Sequence, residues 1–413
     1  MFLTSLQLES FRNIKRAALT FDTSINIFLG PNAAGKTGIL EAIGLLSLPK
    51  SFRTNQISDL VAFDENYFRV QGEFTMASPE NKSIIATLPE RGETEDPAMA
   101  GSSVEIGYQL RPTKRRLLKV NKAPTTLSRY MKEAYVVTFV PQDLHMIDLG
   151  PALRREFLNR VLSKIDFNYL NHLSRYEKAL ASRNALLKKI GEEGGGSFAS
   201  LSAWEEIEPW DTQLTESGSF LVMKRLECVA YLRAHLDEHY CEIAGKTTDI
   251  GISYRDKALM VAKGLEEDAE SLSNDNEPYG REDISAYFKK ALDLRRSRDV
   301  LTKSTSVGPH RDDLQFSLGD KNIEHFASRG ECRTLLVALK IAEIGLIRAH
   351  SGKTPLLLLD DVFSELDNER QTQLLHLIKP YQTFITTNSP EHFTRFRDAK
   401  TVWHVEGGKV KKQ

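Results

Sequence analysis

The stretch Ile25-Asn26-Ile27-Phe28-Leu29-Gly30-Pro31-Asn32-Ala33-Ala34-Gly35-Lys36-Thr37 decides how this chain is read. Five strand-forming residues run into G-x-x-x-x-G-K-T, and a helix-forming segment follows over residues 38–48. Strand, glycine-bounded loop and helix in that order are what phosphate binding needs. Gly30 and Gly35 let the backbone of Pro31, Asn32, Ala33 and Ala34 wrap an anion with its N–H groups, and the helix N-terminus adds partial positive charge. Lys36 then reaches the outer phosphates, and Thr37 offers its hydroxyl to Mg2+.

The metal partner that such a loop requires stands more than three hundred residues downstream, where Pro355-Leu356-Leu357-Leu358-Leu359 ends in Asp360-Asp361. A buried strand ending in two carboxylates delivers acid to a phosphate site. Asp360 is placed to hold Mg2+ directly or through water, and Asp361 to orient or deprotonate an attacking water. A core strand that ends in a solvated acidic turn is the plainer alternative, and it leaves the loop without a metal partner. Between the two motifs lies Ala327-Ser328-Arg329-Gly330-Glu331-Cys332-Arg333, opening a helix whose Leu335, Leu339, Ala342 and Leu346 share a face. Ser328 and Gly330 at a helix start form another anion-binding end, although Ser-x-Gly alone is usually a helix cap.

The chain has 413 residues, 41% of them apolar, enough for a large core and two structural units. No stretch approaches a membrane span, and residues 1–12 lack the basic-then-apolar order of a secretory signal, so the cytoplasm is the expected address. Cys228, Cys241 and Cys332 have no metal-ligand spacing and read as ordinary thiols of a reducing compartment. A net charge of −1, from 55 basic and 56 acidic residues, neither announces nor excludes nucleic acid. Local patches decide instead: Lys114-Arg115-Arg116 with Lys119 and Lys122, and Arg295-Arg296 with Arg298, are dense enough, although each alone is more often a solvated face.

Strand patterns are expected at residues 6–10, 16–21, 25–29, 67–75, 84–88 and 104–110, forming a mixed or antiparallel sheet that feeds the phosphate loop. Another strand at 135–140 ends at Pro141-Gln142-Asp143, and from Gly150 the chain turns helical. Leu153, Phe157, Val161 and Ile165, then Leu173, Tyr176, Leu180 and Leu187, repeat at helical spacing with a break near residues 166–168. Residues 191–197 read as a flexible turn. A second helical run spans about 201–243, with Pro209 as a kink or restart and Phe220, Met223, Leu226, Ala230 and Leu236 as its packed stripe. A short strand at 250–254, an exposed acidic loop at 264–280 and a helix at 284–300 follow. The pattern predicts an α/β chain in three parts: residues 1–149, an inserted helical arm at 150–302, and a return to strand and helix at 303–413. His310-Arg311-Asp312-Asp313 lacks zinc spacing and reads as a structural turn packed against the sheet-bearing part.

Phe11-Arg12-Asn13, residues 30–37, Phe139-Val140-Pro141-Gln142-Asp143-Leu144, Gly308-Pro309-His310-Arg311-Asp312-Asp313-Leu314, Ser328-Arg329-Gly330 and Asp360-Asp361-Val362-Phe363-Ser364-Glu365-Leu366-Asp367 closely resemble the RecF family of SMC-like, ABC-type DNA repair ATPases. The likeness runs nearly the whole length, and its later strings are far more specific than the phosphate loop.

That resemblance implies an ABC-type ATPase head, a P-loop NTPase, with an inserted helical domain. It implies weak DNA-stimulated ATPase activity with ATP and Mg2+, binding of single- and double-strand DNA, and an ATP-dependent homodimer acting with RecR and RecO. The dimer would serve recombinational repair and replication forks at single-strand/double-strand junctions, helping to load recombinase at gaps. Two heads would sandwich two ATP molecules, each held by one subunit's phosphate loop and the other's Ser328 and Gly330. Gln142 falls at the position that senses Mg2+ and attacking water, residues 364–367 at the loop crossing the dimer interface, and Arg12 and Asn13 approach the nucleotide from the N-terminal strand. Glu331 stands where an ABC signature usually has Gln, so its charge calls for compensation by Arg329 or Arg333. Thr387 takes the place of the transporters' switch histidine, and His392 nearby reads equally well as a surface residue. A transporter's nucleotide-binding subunit or a small-molecule kinase are the alternatives. The 186 residues between Gln142 and Ser328 leave room for a large helical insertion, which disfavours the first.

Overall fold

The computed structural model describes residues 1–76, 101–148, 150–192, 201–245, 247–265, 280–319, 321–388 and 401–413. They form two compact units, residues 1–143 with 343–413, and residues 144–342. The expected strand at 84–88, the centres of the turn at 191–197 and of the loop at 264–280, and His392 lie outside the described residues.

The first unit holds two six-stranded sheets. In the antiparallel one, β1 (Phe2–Phe11), β2 (Ile14–Thr20), β4 (Tyr67–Thr75), β5 (Ser102–Gln109), β6 (Arg115–Val120) and β7 (Ala123–Pro124) run in the order β2-β1-β4-β5-β6-β7. Its strands alternate: Phe68, Val70, Gly72 and Phe74 of β4 are buried, and Arg69, Gln71 and Glu73 between them are not. β3 (Ile25–Leu29) belongs to the other sheet. There it pairs in parallel with β13 (Thr383–Thr387) and β14 (Thr401–Glu406), while β12 (Leu356–Asp360) lies between β13 and β8 (Val136–Phe139), all parallel. β15 (Lys409–Lys412) closes the edge antiparallel to β14. The one mixed or antiparallel sheet expected to feed the loop is therefore two sheets, because β3 is covered on both faces and finds its partners near the C-terminus.

Helix α1 (Lys36–Leu45) packs between these sheets, its Ile39, Leu40 and Ile43 joining Leu6, Leu8, Phe11, Phe68, Leu358 and Phe384 in one core. Each such side chain contributes about 1.5–3 kcal/mol by leaving water. Gln382 fastens the layers. Its side chain accepts from the Leu3 N–H at 2.7 Å and donates to the Leu3 carbonyl at 2.8 Å and the Asp22 carbonyl at 2.7 Å.

The second unit is mainly helical: α3 (Pro151–Ile165), α4 (Phe167–Glu192), α5 (Leu201–Ala244), α6 (Lys257–Ala262) and α7 (Arg281–Thr302), with α2 (Pro141–Asp148) entering it. Its small antiparallel sheet orders β11 (Lys321–Asn322), β10 (Asp313–Leu318) and β9 (Ile250–Arg255). The break falls at Asp166, as expected, but α5 runs as one helix through Pro209 instead of restarting there. No helix among the described residues is long and apolar enough to cross a membrane.

One expectation is overturned. The packed stripe of α5 is not Phe220, Met223, Leu226 and Ala230: the buried face carries Leu221, Val222, Arg225, Cys228, Val229 and Leu232, and of the expected set only Leu236 is buried. The reason is Arg225, which is buried yet donates to Tyr169 Oη (3.0 Å), Tyr254 Oη (3.0 Å), Asn159 Oδ1 (2.9 Å) and the Pro309 carbonyl (2.7 Å), so a polar centre takes the face that apolar counting assigns elsewhere. The second compact unit runs on to residue 342, past residue 302 where the helical arm was expected to end. Pairing of β10 with β9, and the Arg154–Asp313 ion pair at 2.8 Å, hold residues 303–342 in the second unit.

Candidate nucleotide site

Parallel β3, β13, β12 and β8 open their carboxyl ends on one edge, where α/β sheets bind ligands. The phosphate loop follows β3, Asp360 ends β12 and Asp361 follows it, Gln142 follows β8, and Thr387 ends β13. Gly30 is required by close approach: a Cβ there would lie 2.1 Å from the Val405 carbonyl oxygen of β14. Gly35, at φ 113°, has the left-handed conformation that side chains resist, and a Cβ would come within 2.7 Å of Asn13 Oδ1. Asn13 Nδ2 donates to the Ala34 carbonyl at 3.1 Å, and the Gly408 N–H donates to the same oxygen at 3.0 Å, so two turns brace the loop from outside.

Lys36 is 8% exposed and curls over its own loop, Nζ donating to the Gly30 carbonyl at 2.8 Å and the Pro31 carbonyl at 2.9 Å. Burial lowers its pKa, and the Asp361 and Asp360 carboxylates work against that shift. Thr37 Oγ1 donates to Asp360 Oδ1 at 2.8 Å, joining residues 323 apart. Thr386 Oγ1 donates to the same oxygen at 2.7 Å and accepts from the Asp361 N–H at 3.0 Å. Asp361 sits at φ 51°, a strain of about 1–3 kcal/mol for a residue with a side chain. Ser364 Oγ fixes that corner by donating to the Asp361 carbonyl at 2.7 Å.

Gln142 is exposed on the first turn of α2, and the neighbouring Asp143 accepts the Val140 N–H at 3.2 Å, closing the turn out of β8. Arg12, the first residue of the β1–β2 turn, grips α1: Nε and Nη2 each donate at 2.8 Å to the two carboxylate oxygens of Glu41. Thr387 is buried, and its carbonyl accepts the Gly30 N–H at 3.3 Å.

Ser328 and Gly330 belong to the second unit, at the start of α8 (Arg329–Ser351). Ser328 N and Oγ donate to Glu331 Oε2 at 2.9 and 2.8 Å, and Ser328 Oγ accepts the Glu331 N–H at 3.3 Å. This is a capping box, so the Glu331 charge meets the serine itself. His310 contacts Tyr176 Oη at 2.7 Å and the Thr305 carbonyl at 3.0 Å, both in the second unit.

Of the basic segments, Lys114, Arg115, Arg116 and Lys122 are exposed on and beside β6, whereas Lys119 pairs with Glu105 at 2.9 Å. Arg296 is taken up by Asp211 (3.3 Å) and Asp293 (2.9 Å). Sequence reading missed Thr386 and Glu41. Thr386 carried a signal, a hydroxyl at the end of an apolar strand beside a phosphate loop; Glu41 carried none beyond a charge on the buried side of a helix.

Residues 2–411 match the family described as RecF/RecN/SMC N terminal domain. The chain is 36% identical over 414 residues to the DNA replication and repair protein RecF of Streptococcus suis, covering 99% of each. It is 34% identical to the RecF of Bacillus mycoides, covering 99% of this chain and 98% of that one. Among solved structures it is similar to the recombination mediator protein RecF-ATPrS in the RecFOR pathway, with a TM-score of 0.81, 30% identity, and coverage of 100% of this chain and 98% of that one. The fold is also that of an Smc head bound to the C-winged helix domain of ScpA, at TM-score 0.51 and 14% identity, consistent with an ABC-type head. With a family model spanning nearly every residue and full-length relatives above 30% identity, the chain belongs to the RecF family of DNA replication and repair proteins.

Proposed function

We propose that this chain binds ATP with Mg2+ at the carboxyl edge of its parallel sheet, hydrolyses it slowly, and uses ATP-dependent dimerisation to clamp DNA at single-strand/double-strand junctions, helping to load recombinase at gaps. The observation that carries the reading is the 2.8 Å bond from Thr37 to Asp360, which brings the two halves of a nucleotide site to one point. A hydroxyl and a carboxylate so placed are hard oxygen donors that suit Mg2+, which when bound would neutralise outer phosphate charge. Lys36 supplies the ammonium for those phosphates, and the N–H groups of residues 30–37 line the loop. Asp361, held in its strained corner, accepts the proton of the attacking water, and Gln142 positions that water.

Ser328 and Gly330 offer a capped helix start to the nucleotide of a second copy, and Arg115 and Arg116 offer charge to the DNA backbone. The partner set is a homodimer, DNA, and RecR with RecO, and the site of action is the cytoplasm. Full-length likeness to DNA repair proteins favours this over a transporter subunit or a small-molecule kinase. ATP turnover measured with and without gapped DNA, beside sedimentation with and without ATP, tests it. Turnover that rises with DNA and a dimer that needs ATP are expected; a chain that stays monomeric in ATP and ignores DNA would sink the clamp.

A further inference from the structure

The turn between β1 and β2 has two residues, Arg12 and Asn13, since Phe11 pairs directly with Ile14. Arg12 adopts φ 55°, a conformation that glycine takes at no cost, so the position is kept for its side chain. That side chain reaches Glu41, which lies one turn beyond Thr37 on α1 and whose carboxylate is fully buried. A buried carboxylate is costly unless paired, and an apolar residue would pack α1 between two sheets more cheaply. Glu41 is instead a collecting point. Arg12 binds it with Nε and Nη2 at 2.8 Å each, Ser51 Oγ donates to Oε1, and Arg53 Nη1 lies 4.0 Å from Oε2. Arg12 Nη1 also donates to the Asp59 carbonyl at 3.0 Å. These bonds leave N–H groups on Nη1 and Nη2, and the side chain is 23% exposed. Asn13 meanwhile braces the phosphate loop through Ala34. One strained turn thus touches both the loop and its helix.

Resting on the nucleotide reading above, we propose that Glu41 is a positioning residue for ATP: its carboxylate fixes the Arg12 guanidinium beside the phosphate loop so that the remaining N–H groups meet phosphate oxygens already oriented. The bidentate pair holds the fork in one rotamer before the nucleotide arrives, so binding does not have to order it. Lysine cannot do this, because a single ammonium has no fork to present.

The test is a double-mutant cycle on ATP dissociation constants for the full chain, with thermal melting alongside. Glu41→Gln and Arg12→Ala are each expected to loosen ATP about tenfold, and the double variant no more than Arg12→Ala alone. Should Glu41→Gln fold poorly, Arg12→Lys answers the same question: it keeps the charge, loses the fork, and is expected to bind like Arg12→Ala. Equal loosening by Glu41→Gln with and without Arg12 would reduce it to a packing role and overturn the proposal, as would parental ATP binding by Arg12→Ala or Arg12→Lys. Lys36→Ala is the control. If it loses ATP while the Arg12 variants do not, only the positioning role falls; if it keeps ATP, the nucleotide reading and this proposal fall together.

Discussion

His310 and Asp312, two residues apart in the second unit, are pushed in opposite directions by the same burial. His310 is lowered to about 3 by desolvation, and Asp312 is raised to about 7 by desolvation and then by the neighbouring Asp256. Tyr254 Oη donates to Asp312 Oδ2 at 2.6 Å, and the Lys257 N–H to Oδ1 at 3.0 Å. Buried neutral, His310 contributes stability that is complete above its ordinary pKa of 6.5 and is lost as pH falls. Asp312 holds its proton more tightly folded than unfolded, so its contribution is complete below 3.8 and is lost as pH rises toward 7. The slopes oppose each other between about pH 4 and 6.5, each at most about 1.4 kcal/mol per pH unit. Urea midpoints at several pH values, each compared with the parent's at the same pH, read the two contributions separately. Those of Asp312→Asn should rise with pH, and those of His310→Gln should fall.

Lys36→Ala is expected to abolish ATP binding, since outer phosphate charge is left uncompensated and the Gly30 and Pro31 carbonyls lose their donor. Titration with a fluorescent ATP analogue reads this directly. Tight binding by the variant would remove the loop from the site.

Asp361→Asn should bind ATP like the parent and hydrolyse it about a hundredfold more slowly, because the amide keeps the shape without accepting a proton. Asparagine tolerates the left-handed corner, so the fold is not the variable. Unchanged single-turnover rates would move the base elsewhere, with Gln142 next.

Ser328→Arg should spare ATP binding by the monomer and block ATP-dependent dimerisation. The substitution also breaks the capping box, at a cost of about 1 kcal/mol, so Ser328→Ala serves as its control. Normal dimerisation of Ser328→Arg in the ultracentrifuge would leave this serine as a helix cap and nothing more.

Reversing Arg115 and Arg116 to Glu should weaken DNA binding and lower the salt slope by about 1 for each phosphate that the protein no longer neutralises. Filter binding across a salt series measures both quantities. An unchanged slope returns this edge of β6 to plain solvated surface.

What could be read from the sequence follows from how far each signal reaches along the chain. The phosphate loop and the two aspartates are contiguous motifs, and β3 and β4 were placed to the residue because alternation and apolar runs are local. The division into two sheets was hidden, since the pairing of Thr383 with Ile25 depends on backbone bonds across more than three hundred residues. The α5 stripe failed for another reason: Arg225 is buried through neutral hydroxyls and carbonyls that no helical period announces. β6 was hidden by its charges, which drew attention to a surface and away from the strand carrying it.

The placement of β3 also sets the order of events during synthesis. β3 leaves the ribosome more than three hundred residues ahead of both of its neighbours, β13 and β14. Until then its two edges are open backbone, a template for wrong pairing that other chains can join. Loop closure over so long a span makes the central sheet a late and slow step, while the local hairpin of β1 and β2 forms early. A nascent chain truncated before Thr383 would carry a complete phosphate-loop sequence and no nucleotide pocket, and its unpaired β3 would make it a client for chaperones.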